Sequence, residues 1–157
     1  MGVACLIMLI LTAGFGLFLA IIWLIEYDND FQAASATRLP PLVLTGHALA
    51  AVSGLTLWTA YLIWDSHRLA WFSAIALVVA ATLGLFMAIR WIGVYRAKRA
   101  SDRLAGTTLA APIAAGSNSP RSAFVGPPER NFPLPAVIIH GVFAVTTLTL
   151  VLLTALG

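Results

Sequence analysis

The chain is short of charge, of cysteine and of polar chemistry. Of 157 residues, six are acidic and nine basic, 10% in all, where a soluble domain carries about 25%. That excludes a separate water-soluble domain of any size. A single cysteine, Cys5, excludes an internal disulfide and a cysteine-built metal cage. No acidic residue falls inside a long apolar run, so a proton relay or cation pump lacks its usual groups. No Ser–His–Asp set, phosphate-binding glycine loop or dinucleotide fingerprint is present.

What is abundant is apolar: 61% of residues are hydrophobic and the mean hydropathy is +0.95. The runs Leu6–Ile25, Leu42–Trp64, Leu69–Trp91 and Leu134–Leu156 each approach the ~20 residues that cross a ~30 Å hydrocarbon core. The expectation is an all-α integral membrane protein, a four-transmembrane-helix bundle. The first run lacks a preceding basic residue and is too long for a secretory signal, so it is expected to stay as a span. Trp23, Trp64, Trp71 and Trp91 fall at span ends and read as interfacial anchors.

Basic residues lie on one side. Arg90, Arg96, Lys98, Arg99, Arg103, Arg121 and Arg130 flank or occupy the connection between runs three and four, against Arg68 alone on the other side. The positive-inside rule places that connection in the cytoplasm and both termini outside. The cluster reads as a topology determinant just below the membrane, not as a nucleic-acid surface. Residues 106–128, rich in Gly, Pro, Ala and Ser, read as a flexible linker. Tyr95–Arg103 reads as a helical continuation of run three into water.

The chain also repeats itself. Aligning His47 with His140 gives P-x6-H-x3-A-V-[ST]-x-L-T-L twice, starting at Pro40 and at Pro133. The stretch from Gly16 to Trp23 matches that from Gly84 to Trp91, six of eight residues being identical. The expectation is two tandem two-helix repeats related by a pseudo-two-fold axis along the membrane normal. The segments are 1–65 (helices 1 and 2), 66–103 (helix 3 and its extension), 104–131 (linker) and 132–157 (helix 4).

Duplication sets two histidines at one depth, ~8–9 Å inside the starts of helices 2 and 4. One reading is packing, each imidazole bonding a neighbouring helix for ~0.6 kcal/mol. Another is a haem iron held between them, because two neutral imidazoles on facing helices supply its axial ligands. Two histidines are too few for zinc, which takes three or four protein ligands. On the histidine faces lie Ala51 and Gly54 in helix 2 and Ala144 and Thr147 in helix 4, at the i+4 and i+7 positions, small enough to seat a flat group. Arg90 is the first candidate partner for haem carboxylates, and Met87 a candidate alternative ligand.

This layout of four spans with His47 and His140 resembles the small four-helix bacterial membrane b-type cytochromes and the haem-bearing membrane anchors of respiratory dehydrogenases. The resemblance implies non-covalent haem b and electron transfer with a quinone or a partner subunit. With only His67 besides the pair, the chain departs from two-haem cytochromes. The rival readings are a cofactor-free accessory subunit of a larger membrane complex, seated through the glycine-bearing helices 1 and 3 (Gly14, Gly16, Gly84), and a quinone or lipid pocket lined by the same histidines.

Overall fold

Two short connections and one long one set the order of the helices. In the computed structural model, which describes residues 2–29, 37–109 and 127–157, the elements are α1 (Gly2–Asn29), α2 (Pro41–Trp64), α3 (His67–Leu109) and α4 (Leu134–Leu156), with a 3-10 turn at Pro128–Asn131. Four helices are thus long and apolar enough to cross a membrane. Proline starts α2 and α4, Pro41 as the first residue of one and Pro135 as the second of the other. That is where a missing N–H costs nothing.

α2 ends at Asp65, whose left-handed backbone (φ 46°) returns its N–H to the Tyr61 carbonyl at 2.8 Å. Aspartate tolerates that conformation better than most residues. Only Asp65 and Ser66 then separate α2 from α3, which forces the two to pack antiparallel. α3 is one helix of 43 residues, about 65 Å long. It is longer than the apolar run and includes the expected extension, reaching six residues past Arg103. Of the expected flexible linker, residues 110–126 lie outside the described residues.

The helices form a ring. α2 packs on α3 and α1 on α4, while the α3–α4 and α1–α2 contacts close the circle. Among the described residues no Cα of α2 comes within 8 Å of one in α4, and none of α1 within 8 Å of one in α3. The two histidine-bearing helices therefore face each other across a diagonal. Large apolar side chains such as Leu17, Leu49, Val52 and Ile89 point outward, each more than 60% exposed, as lipid-facing residues do.

Two clusters fill the interior. At the end that carries the Asp65–Ser66 turn, Trp58, Val151, Cys5, Ala70 and Ala155 are fully buried. There the Trp58 indole donates to the Gly2 carbonyl (3.1 Å) and the Ser73 hydroxyl to the Gly54 carbonyl (2.8 Å). At the opposite, linker end, Trp23, Leu39 and Met87 pack with Tyr27, Val43, Leu44 and Phe132. Trp64 and Trp71 are exposed as anchors should be, but Trp23 and Trp91 are only 6% exposed. They stack on Tyr27 and Tyr95 at ring distances of 4.5 and 5.2 Å. A helical periodicity does not say which side of a span an indole takes, and these two turn inward.

Gly54 is a contact point between α2 and α3. A Cβ there would stand 2.6 Å from Leu77 Cδ2 and 2.7 Å from its Cγ. Gly54→Ala gains about 1 kcal/mol of helix propensity but overpacks the core, at a cost of about 1–3 kcal/mol. The expected outcome is net destabilisation with α2 and α3 forced apart, measured by titrating the micelle-bound protein with denaturing detergent.

Candidate functional site

His47 is the seventh residue of α2 and His140 the seventh of α4. Their rings meet across the diagonal, with centroids 6.2 Å apart and planes at 71°. Each ring is anchored on the same pattern. His47 Nδ1 lies 2.8 Å from the Ala80 carbonyl of α3, and His140 Nδ1 lies 3.0 Å from the Thr12 carbonyl of α1. A carbonyl only accepts, so Nδ1 carries the proton in both, and the lone pair of the neutral ring sits on Nε2.

A glycine makes each anchor accessible. A helical side chain covers the turn before its own Cα, so the residue at i+4 shields carbonyl i. Gly84 stands four residues after Ala80, and Gly16 four after Thr12. A Cβ on Gly84 would come within 3.0 Å of His47 Cε1, and one on Gly16 within 3.0 Å of His140 Cε1. These two glycines face the histidines inside the bundle. Gly14 alone of the three meets nothing within 4 Å.

The rings line a cavity of about 290 Å³, near the lower end of small-molecule sites. Ala20, Ala88, Met87, Leu39, Phe132 and Ala144 are among its other walls, and among the described residues no charged side chain lines it. Among the described residues no hydrogen bond engages Nε2 of either histidine, and no buried side-chain nitrogen or oxygen lacks a partner. Nε2 of both rings is therefore accessible. Among the described residues no third His, Cys, Asp or Glu joins them.

The other candidate residues are dispersed. Ala144 lines the cavity, whereas Ala51, Gly54 and Thr147 do not. Gly54 is closed by Leu77, and Thr147, 3% exposed, pairs its hydroxyl with that of Thr12 at 3.0 Å. The i+7 positions share the histidine face but lie two turns deeper, where the bundle is packed solid. Arg90 is exposed, with its guanidinium 5.4 Å from the centre of the Phe86 ring, and does not reach the cavity. Met87 does line it. His67 is remote, accepting from the Trp71 indole at 3.2 Å.

Residue-type reasoning missed Glu129. This carboxylate is fully buried in the 3-10 turn ahead of α4. It accepts from the Thr37 hydroxyl (3.0 Å) and the Arg38 N–H (2.6 Å), while its carbonyl accepts from the Trp91 indole (3.2 Å). Trp23 donates to Thr37 at 3.4 Å. These bonds tie both connections together at the linker end, where Leu39, Phe132 and Trp91 form cavity wall. The signal was an acid eleven residues before His140, in a segment otherwise read as linker.

Comparison with family models, with curated proteins and with solved structures finds no match to the chain in any of the three. The site is therefore read from its own geometry.

Gly16→Ala and Gly84→Ala are expected to change stability by about 1 kcal/mol or less, because helix propensity improves and the cavity gives the ring room to move. Each should nonetheless lift its histidine off the carbonyl. The measurement is hydrogen exchange of the Nδ1 proton in histidine-labelled protein by NMR: faster exchange at His140 in the first variant and at His47 in the second.

Proposed function

We propose that the chain is a multi-pass protein of the cytoplasmic membrane, similar in layout to b-type cytochromes, that holds one non-covalent haem between His47 and His140 for electron transfer. The observation that carries this reading is the pair of rings. These two imidazoles would hold the group, one from each of two facing helices, each as a neutral ring with Nε2 as the donor. The ring centroids stand 6.2 Å apart. Each Nδ1 proton is held by a carbonyl, the usual outer partner of a metal-bound histidine, and each Nε2 is accessible.

The donor set suits haem better than a bare ion. Two protein ligands leave most of a metal's coordination unfilled, and a macrocycle brings its own four nitrogens. Bound, that group supplies a one-electron couple. The chain's own part is to fix both imidazoles as neutral ligands and to surround them with small and apolar walls. To meet the haem carboxylates, the exposed Arg90 would swing away from the Phe86 ring it lies over.

The duplication belongs to the same proposal. Residues 68 apart on α1 and α3 meet the cavity in pairs (Gly16 and Gly84, Leu19 and Met87, Ala20 and Ala88). Residues 93 apart do so around α2 and α4 (Leu39 and Phe132, Leu44 and Val137, His47 and His140). Two-fold symmetry between the halves accounts for both series.

The second reading, a cofactor-free accessory subunit, is favoured by one fact. The same Nδ1 bonds lock α2 to α3 and α4 to α1, which is what packing histidines do. Reduced-minus-oxidised spectra of the purified protein separate the two. Haem binding is expected to give a low-spin, six-coordinate spectrum that His47→Ala and His140→Ala each abolish and His67→Ala preserves. A colourless protein from haem-sufficient cells, or two alanine variants with the parent's spectrum, supports the accessory subunit.

The basic linker end is proposed to face the cytoplasm. Cysteines at Ser66 and at Ser101, an exposed residue of the α3 extension, test this against a membrane-impermeant thiol reagent in intact cells. Natural Cys5 is fully buried. Labelling at Ser66→Cys and not at Ser101→Cys is expected, and the reverse pattern overturns the orientation.

A further inference from the structure

The cavity is not equally closed on all sides. Beyond the paired residues, its walls are Ala81, Leu85 and Trp91 on α3 and Gly141, Ala144, Val145 and Leu148 on α4. No residue of α1 or α2 enters this second set. The exposed wall residues lie within it: Leu85 is 63% exposed, Val145 68%, and Gly141 is exposed as well. The cavity therefore runs out sideways between α3 and α4. Leu85 and Val145 lie well inside the apolar parts of their helices, at a depth where the surroundings are hydrocarbon. The linker end is closed differently, with Glu129 and Leu39 buried over it and the two connections bonded together.

From this geometry we infer that the cavity opens to the bilayer through a portal between α3 and α4, and that uncharged, lipid-dissolved molecules enter it there. A water-soluble or charged molecule has no favourable route through that portal. Glu129 and Leu39 lie buried at the aqueous end, and among the described residues no charged side chain lines the cavity. Stripping a charge of its water without a counter-charge costs several kcal/mol or more. An apolar molecule arriving from lipid gives up no hydration. This inference rests on reading the cavity as the functional site, but not on what the histidines hold.

The test is photolabelling in lipid vesicles with 3-(trifluoromethyl)-3-(3-iodophenyl)diazirine, an uncharged carbene precursor that resides in the bilayer. It is applied to the parent and to the His47→Ala/His140→Ala protein, so that an occupied cavity does not hide the route. Met87, 9% exposed and on the cavity wall, should be labelled in at least one of them. Leu85→Trp/Val145→Trp should cut that labelling at least tenfold, and Val145→Trp alone should cut it severalfold. Both replaced residues already face lipid, so the fold should tolerate the indoles. Lipid-facing Phe72, 57% exposed, should label equally in all variants, and buried Trp58 in none. No adduct on Met87 in either protein, or labelling indifferent to both tryptophan variants, overturns the portal. A haem spectrum without Met87 labelling sinks the portal alone, and labelling in a colourless protein sinks the haem alone.

Discussion

The bond from each histidine Nδ1 to a backbone carbonyl on a neighbouring helix is the constraint on which the site depends. It fixes three things at once. It joins α2 to α3 and α4 to α1, the two most extensive helix contacts in the ring. It sets the tautomer, turning the Nε2 lone pairs toward accessible space. It also uses a carbonyl that the glycine one turn on leaves clear of a side chain. Gly16 and Gly84 are in that sense part of the histidine site, though neither has a side chain to contribute.

A diagonal arrangement follows from the same bonds. Each histidine helix leans on its own partner, and across the diagonal the two rings meet. The space this leaves is bounded at one end by the packed core around Trp58 and at the other by the cap around Glu129. A buried carboxylate in so apolar a chain needs its donors, and the Thr37 hydroxyl and Arg38 N–H supply them. Its cost of burial is offset by hydrogen bonds that cross from the 3-10 turn before α4 to the residues just before α2. The opening between α3 and α4 has no such closure.

Much of the fold was legible because a membrane span is a strong pattern. The run Leu134–Leu156 coincides with α4, and Leu42–Trp64 differs from α2 by one residue. Length and unbroken hydropathy decide such helices, since every backbone group must be satisfied within the span. The site was legible in part. His47 and His140 stood out as ionisable groups within apolar runs, and each is the seventh residue of its helix. The supporting residues were misjudged. Gly54 and Thr147, chosen by helical spacing from the histidines, are sealed into the core, and Arg90 turns away over Phe86. Trp23 and Trp91 were read as surface anchors and are interior.

The sequence by itself determined that there are four long apolar helices, two of them started by proline, and that each of those two carries a histidine at the same distance from its start. These are local properties of hydropathy, length and spacing. Only the tertiary structure decided which faces meet. In a chain apolar all round its helices, the pattern that marks an inward face in a soluble protein is erased, so helix rotation is chosen by small residues and a few polar bonds. Rotation brought Gly16 under His140 and Gly84 under His47, buried Glu129 at the linker end, and left Leu85 and Val145 exposed on the cavity wall.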